Sequence, residues 1–211
     1  MLRWLINSTL AALISSFISL VVSILAGYSL SRFVVRGSQT MGIFILTSRM
    51  LPSTLMVIPL FVLMRQLDIL GSLWSIIIAH TTFIIPFATW MLKGYFDSIP
   101  HDLEQAAMID GCNPLNALTR VVLPISLPGI AATTLYGFIL SWSDFLYART
   151  FLASASDAWT VPIGIASMKG EFLIDWNIIM AGALVGSLPI IIMYFFLERF
   201  LVGGLSAGAV K

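Results

Sequence analysis

The sequence predicts an all-α membrane protein, a bundle of helical spans, and three observations carry that prediction. Apolar residues make up 59% of the chain and charged residues only 10%, against about 25% charged in a soluble domain. Mean hydropathy is +0.99, and apolar runs of around 20 residues recur, each long enough to cross a hydrocarbon core of roughly 30 Å as a helix. Nearly all Lys, Arg, Asp and Glu fall in the breaks between those runs. The net charge of +1 carries no signature of nucleic-acid binding. A single cysteine, Cys112, excludes an internal disulfide and a C-x-x-C metal or redox site.

Five spans are legible within one transmembrane domain over residues 1–211, at about 4–30, 41–64, 72–92, 121–142 and 177–197. Arg3 resembles the charged start of a signal peptide. The apolar stretch after it is too long for one, and no A-x-A site closes it, so it reads as a retained span. Within it Ala11, Ser15, Ser19, Ser23, Gly27 and Ser31 recur every fourth residue, a stripe that lets a neighbouring backbone come close. Span two holds Pro52 and Pro59, with Arg49 near enough to its end to snorkel. Span three holds His80 and Pro86; a lone histidine among apolar residues reads as a packing residue rather than a proton relay. Span five carries Pro189 and a G-x-x-x-G pair, Gly182 and Gly186, for helix packing. The prolines kink helices, and they mark either a wet pathway or ordinary transmembrane bends.

The long polar segment 93–128 differs from every other break, because its stretch from Leu103 to Pro128 reads as two capped short helices. Asp102 is the expected N-cap of the first, with Gln105 completing a capping box. Gly111 suits the left-handed position past its end. Asn113 then caps a second helix with Pro114 at its first position. Such a pair, hung between spans, looks like a docking device. The distribution of Lys and Arg puts it in the cytoplasm: Arg32, Arg36, Lys93, Arg120, Arg199 and Lys211 lie on its side, against Arg3, Arg65, Arg149 and Lys169 opposite. Five spans then leave Arg3 outside, which suggests a further helix upstream.

What the spans lack narrows the function. A proton- or sodium-driven carrier needs ionisable groups inside the bilayer, and spans one, four and five have none. No H-E-x-x-H, G-x-S-x-G or G-x-x-x-x-G-K-[ST] motif is present. No catalytic residue is therefore assigned. Active transport by this chain would need fuel hydrolysed on another one.

Gln105-Ala106-Ala107, Asp110-Gly111 and Val121-x-Leu123-Pro124 resemble, in register, the EAA signature of ABC importer permeases. Gln105 stands where that signature has Glu, and the adjacent Glu104 points elsewhere, about 100° round the helix. The C-terminal run from Glu198 to Lys211, including Gly208, is similar to the tail of the maltose-type, carbohydrate-uptake branch. Ser141 to Phe145, Asp175-Trp176, Ala181 and Leu188-Pro189 fit that branch too. Members have six spans, so one would precede the Asn7-Ser8 pair. The resemblance implies a type I ABC importer permease in the cell inner membrane, moving a mono- or oligosaccharide inward by alternating access. It implies a cytoplasmic ATPase dimer that binds the ATP and Mg, a second similar permease chain and an extracytoplasmic sugar-binding protein. Gln105, Ala106, Ala107, Asp110, Gly111, Leu123, Pro124, Gly208 and Lys211 would then couple to the ATPase. Trp142, Ser143 and Asp144 are the candidate pathway residues, since an aromatic face stacks on a sugar and a carboxylate accepts from hydroxyls; a Trp in the interfacial belt with Asp144 at the water boundary is the competing reading. The outer break from Tyr147 to Asp175, with Trp159, Pro162 and Lys169, is long enough to touch the binding protein or to be a plain surface loop. A permease for another solute, or an ion-coupled carrier or channel, are the alternatives.

Overall fold

The computed structural model describes residues 1–33, 37–48, 52–169 and 175–208. Every regular element among them is helical. Helix α1 (Leu2–Arg32) runs the length of the bundle. It is followed by α2 (Ser38–Ser48), α3 (Ser53–Gln66) and α4 (Leu73–Asp97). At one end of the bundle come α5 (His101–Ile109) and α6 (Pro114–Ala117), then a π-helical turn (Leu118–Val122) and the short α7 (Leu123–Ile125). Helix α8 (Leu127–Trp142) returns through the bundle to the opposite end. There α9 (Leu146–Phe151) and α10 (Val161–Ser167) lie, before α11 (Trp176–Gly208).

Three helices are long and apolar enough to cross a membrane among the described residues, α1, α4 and α11, and the bent pair ending in α8 makes a fourth. Two expected spans are not single helices. Over 41–64 there are two helices, α2 and α3, with residues 49–51, and so Arg49, outside the described residues. Pro52 stands immediately before α3, and a proline disfavours helical geometry at the residue preceding it. The 14 residues of α3 reach only about 21 Å. Over 121–142 the chain bends by 81° between Pro114–Ile125 and Leu127–Trp142. Pro124 cannot donate to a carbonyl four residues back; next to it the turn widens, and the Leu123 N–H reaches Leu118 O instead. Pro128 opens the next helix, so neither proline holds a straight hydrogen-bond ladder across Ser126.

The small-residue stripe does what it was expected to do. Ala11, Ser15, Ser19, Ser23 and Gly27 are all buried, facing α4. A Cβ on Gly27 would sit 3.1 Å from the backbone N of Lys93 and O of Thr89, so only glycine allows this approach without displacement. Gly182 and Gly186 likewise face α10, where a Cβ on Gly186 would lie 2.8 Å from Val161 Cγ1. Away from these seams the helices are greasy and bare: Phe17, Phe44, Ile58, Leu184 and Phe195 are exposed, as suits surfaces that meet lipid or other subunits.

Candidate functional site

The helix pair α5–α6 is built from its own ends. Helix α5 begins after Pro100, two residues earlier than expected, so Asp102 is not its N-cap and no side chain caps that end. The capping box with Gln105 is therefore absent. Asp102 and Glu104 fall instead in the first turn, where carboxylates complement the helix dipole. At the other end Gly111 adopts φ +93°. Its N–H donates to Met108 O at 3.1 Å and that of Cys112 to Ala107 O at 3.0 Å, the paired bonds of a Schellman motif. Asn113 Oδ1 then accepts the Asn116 N–H at 2.8 Å, and Pro114 occupies the first position of α6.

A buried polar network fastens this pair to the bundle. Glu104 is 3% exposed. One of its carboxylate oxygens accepts from Arg32 Nε, and the other accepts the Tyr28 hydroxyl at 2.8 Å. Arg32 Nη2 also donates to Ile99 O at 3.2 Å, and Nη1 to Ser31 Oγ at 3.0 Å. Ser31 Oγ donates in turn to Asp97 Oδ1 at 2.6 Å, and Lys93 donates to Asp97 Oδ2 at 2.5 Å. The last turn of α1, the last turn of α4 and the first turn of α5 thus share one chain of charge-assisted bonds, the strong kind. Beneath it Tyr28, Leu92, Phe96, Ile99, Leu118 and Val122 form a separate apolar core.

The opposite face of α5–α6 is free. Gln105, Ala106, Asp110 and Gly111 are exposed and Ala107 half-buried. Leu103, Met108, Ile109 and Leu115 are exposed as well, Ile109 at 86%. The result is a convex apolar tip with small residues at its centre. Leu123 is half-buried and Pro124 exposed, at the bend that follows. Gly208 is the last described residue of α11, and Lys211 lies outside the described residues. The expected coupling residues of α5 therefore gather on one surface. The joining of Glu104 to Arg32 and Tyr28 is not legible in the sequence. The available signal was the i, i+4 spacing of Tyr28 and Arg32, which puts both on one face of the span's end.

The three pathway candidates part company. Trp142 is 4% exposed; it stacks on Phe138 with 5.5 Å between centroids, and its Nε1–H donates to Gly186 O at 3.1 Å. That carbonyl lies within the turn of α11 that Pro189 loosens, so Trp142 ties α8 to α11. Ser143 is exposed. Asp144 accepts the N–H groups of Tyr147 and Ala148 at 3.3 and 2.9 Å, holding the first turn of α9. One of its oxygens also lies 3.2 Å from His80 Nε2, although the alignment there is not that of a hydrogen bond. His80 Nδ1 meets Ser141 Oγ at 2.7 Å. His80 is thus a buried link between α4 and α8 rather than an isolated group.

A helical bundle with up to four membrane spans, carrying an apolar helix pair at one end on a buried charge network, defines a polytopic membrane protein. The family model for the binding-protein-dependent transport system inner membrane component matches residues 6–205, and the chain belongs to that family. It is 38% identical over 205 residues to the inner membrane ABC transporter permease protein YcjP of Escherichia coli, covering 97% of this chain and 73% of the relative. It is 36% identical to the sulfoquinovosyl glycerol transport system permease protein SmoH of Agrobacterium fabrum, covering 99% of this chain and 73% of that one. With the trehalose/maltose transport system permease protein of Thermococcus litoralis the identity is 33%, over 99% and 75% of the two chains. Among solved structures, a bacterial ABC transporter that imports the acidic polysaccharide alginate superposes with a TM-score of 0.72 at 23% identity, covering 99% of this chain and 75% of that one. The inward-facing MetNI methionine transporter gives 0.73 at 18% identity, over 96% and 95%. These two likenesses establish the fold.

Proposed function

We propose that this chain is the permease subunit of an ABC importer that carries a sugar into the cytoplasm, driven by an ATPase seated on α5 and α6. The observation that carries the coupling half is the exposed apolar tip of Leu103, Met108, Ile109 and Leu115, held rigidly by Glu104 and Arg32 on the far side of the same helix. An apolar tip of this kind outside the membrane calls for a protein partner. The family signature, Ala106, Ala107, Asp110 and Gly111, lies on the same surface. The ATPase binds the ATP and Mg and does the hydrolysis. A second, similar permease chain meets the bare helix faces, and an extracytoplasmic binding protein delivers substrate at the α9–α10 end.

Closure of the ATPase moves α5 as a body. Because α5 is bonded to the end of α1, which is bonded in turn to Asp97 at the end of α4, and runs through α6 to the bend before α8, that displacement reaches three helices and re-poses them between outward and inward access. The sugar half rests on relatives, which include permeases for sulfoquinovosyl glycerol and for trehalose and maltose. The test is Ile109→Asp. This side chain is 86% exposed, so the variant is expected to insert and melt as the wild type does, yet to lose ATPase association and ATP-driven sugar uptake. Undiminished association would sink the assignment of this surface.

A further inference from the structure

At the end of the bundle opposite α5, a pocket of about 420 Å³ opens among Phe145, Arg149, Trp159, Ile163 and Lys169. Its frame is fixed by α1. Asn7 Nδ2 donates to the carbonyls of Asp157 and Trp159, each at 2.9 Å, and Ser8 Oγ accepts the Val161 N–H at 2.8 Å. The Trp159 indole N–H is committed to Leu152 O at 3.1 Å, which sets the ring in place. Phe145 supplies a second ring, 45% exposed. Aromatic faces of this kind receive the C–H face of a sugar.

The charge of the pocket is one-sided. Arg149 and Lys169 line it, and no described Asp or Glu does. The described carboxylates nearest to the two cations in sequence are engaged elsewhere: Asp157 with Arg3 at 2.7 Å, Asp144 with the first turn of α9 beside His80, and Asp175 with the N–H groups of Asn177 and Ile178 at 3.0 and 3.3 Å; Glu171 lies outside the described residues. Neither Arg149 nor Lys169 has an ion-pair partner among the described residues. A fixed aromatic wall beside two cations that have no counterion among the described residues suits a ring that carries an anionic group.

We infer that this pocket is an entry subsite for an acidic sugar, with Trp159 and Phe145 against the ring and Arg149 and Lys169 on its carboxylate. The inference rests on the sugar-importer reading and sharpens it to uronate-type substrates. An anionic lipid headgroup offers related chemistry at a membrane surface, but it needs no pinned aromatic wall.

The test uses the full chain in phosphatidylcholine nanodiscs at low salt, with α-1,4-digalacturonate and the neutral α-1,4-galactobiose as probes, and saturation-transfer NMR as the readout. Digalacturonate is expected to bind about tenfold more tightly than galactobiose, the factor expected of one charge-assisted hydrogen bond. Arg149→Gln and Lys169→Gln should each erode that preference and together abolish it, and Trp159→Ala should weaken both sugars. Both cations are exposed, so unchanged melting is the control for folding. Equal binding of the two sugars overturns the acidic class and leaves the sugar-importer reading standing. A preference that survives both Gln substitutions places the anion elsewhere and overturns the site. Binding of neither sugar, with phosphatidylglycerol retained by the wild type but not by the Gln variants, makes it a headgroup site and overturns the proposal. Sugar uptake by the assembled transporter, measured separately, decides the underlying reading.

Discussion

Arg32 and Glu104, separated by 72 residues of chain, form a buried ion pair that joins the end of the first helix to the helix carrying the family signature. Their side chains are 5% and 3% exposed. Taking two charges out of water is costly, and such a pair persists where the remaining donors and acceptors are also satisfied. Here Tyr28, Ser31 and Ile99 do that. The arrangement ties α5 to the end of α1 and, through Ser31 and Asp97, to the end of α4.

Removing one partner leaves a buried charge without its counterion. Glu104→Ala should destabilise the junction by about 3 kcal/mol and raise deuterium exchange across α5. The double variant Glu104→Leu with Arg32→Met is expected to be milder than Glu104→Ala alone, because no orphan charge remains. Exchange in α5 that matches wild type in Glu104→Ala would show that the pair does not hold the helix.

Gly111 sits at φ +93° with open space around its missing Cβ, so a substitution there strains the backbone and nothing else. Gly111→Val should cost about 1–2 kcal/mol in that conformation and unseat the Schellman turn. Uptake in reconstituted vesicles is expected to fall sharply while insertion and bundle melting stay near wild type. Full uptake would mean that the turn's shape does not matter to coupling.

Gln105 is exposed on the tip and does not cap its own helix. Gln105→Glu restores the carboxylate usual in the signature, and it should keep or strengthen ATPase association, since a charge-assisted bond exceeds a neutral one. The measurement is the dissociation constant of the permease–ATPase pair. Weaker association would put the contact on another residue.

Trp142 separates packing from pathway. Trp142→Phe keeps the stack on Phe138 but removes the hydrogen bond to Gly186 O, which should cost about 1 kcal/mol and lower the melting temperature in detergent. The sugar concentration for half-maximal uptake should not move. A raised half-saturation with unchanged melting would return Trp142 to the pathway.

Much of the fold and part of the site were legible before any coordinates. The stripe from Ala11 to Gly27 announced a close helix contact because its spacing of four is the helix's own period. Gly111, Asn113 and Pro114 announced two helix ends because each residue type fits a backbone demand that few others meet. Asp102 misled for a related reason: capping preference is local, and the start of α5 was decided by Pro100 and by the burial of Ile99 against Phe96 and Tyr28. Span two misled because hydropathy reports solvent preference and not helix continuity.

The sequence alone determined the solvent, the helical class and the pair of short helices joined at Gly111, since composition, period and end-capping chemistry are properties of neighbouring residues. It did not determine that Glu104, beside the signature, anchors the helix while Gln105 faces outward, or that Asp144 meets His80, or that Trp159 and Phe145 share a pocket with two cations. Those are encounters between residues distant along the chain, and only the packing of α1 against α4, α5 and α10 brings them within reach.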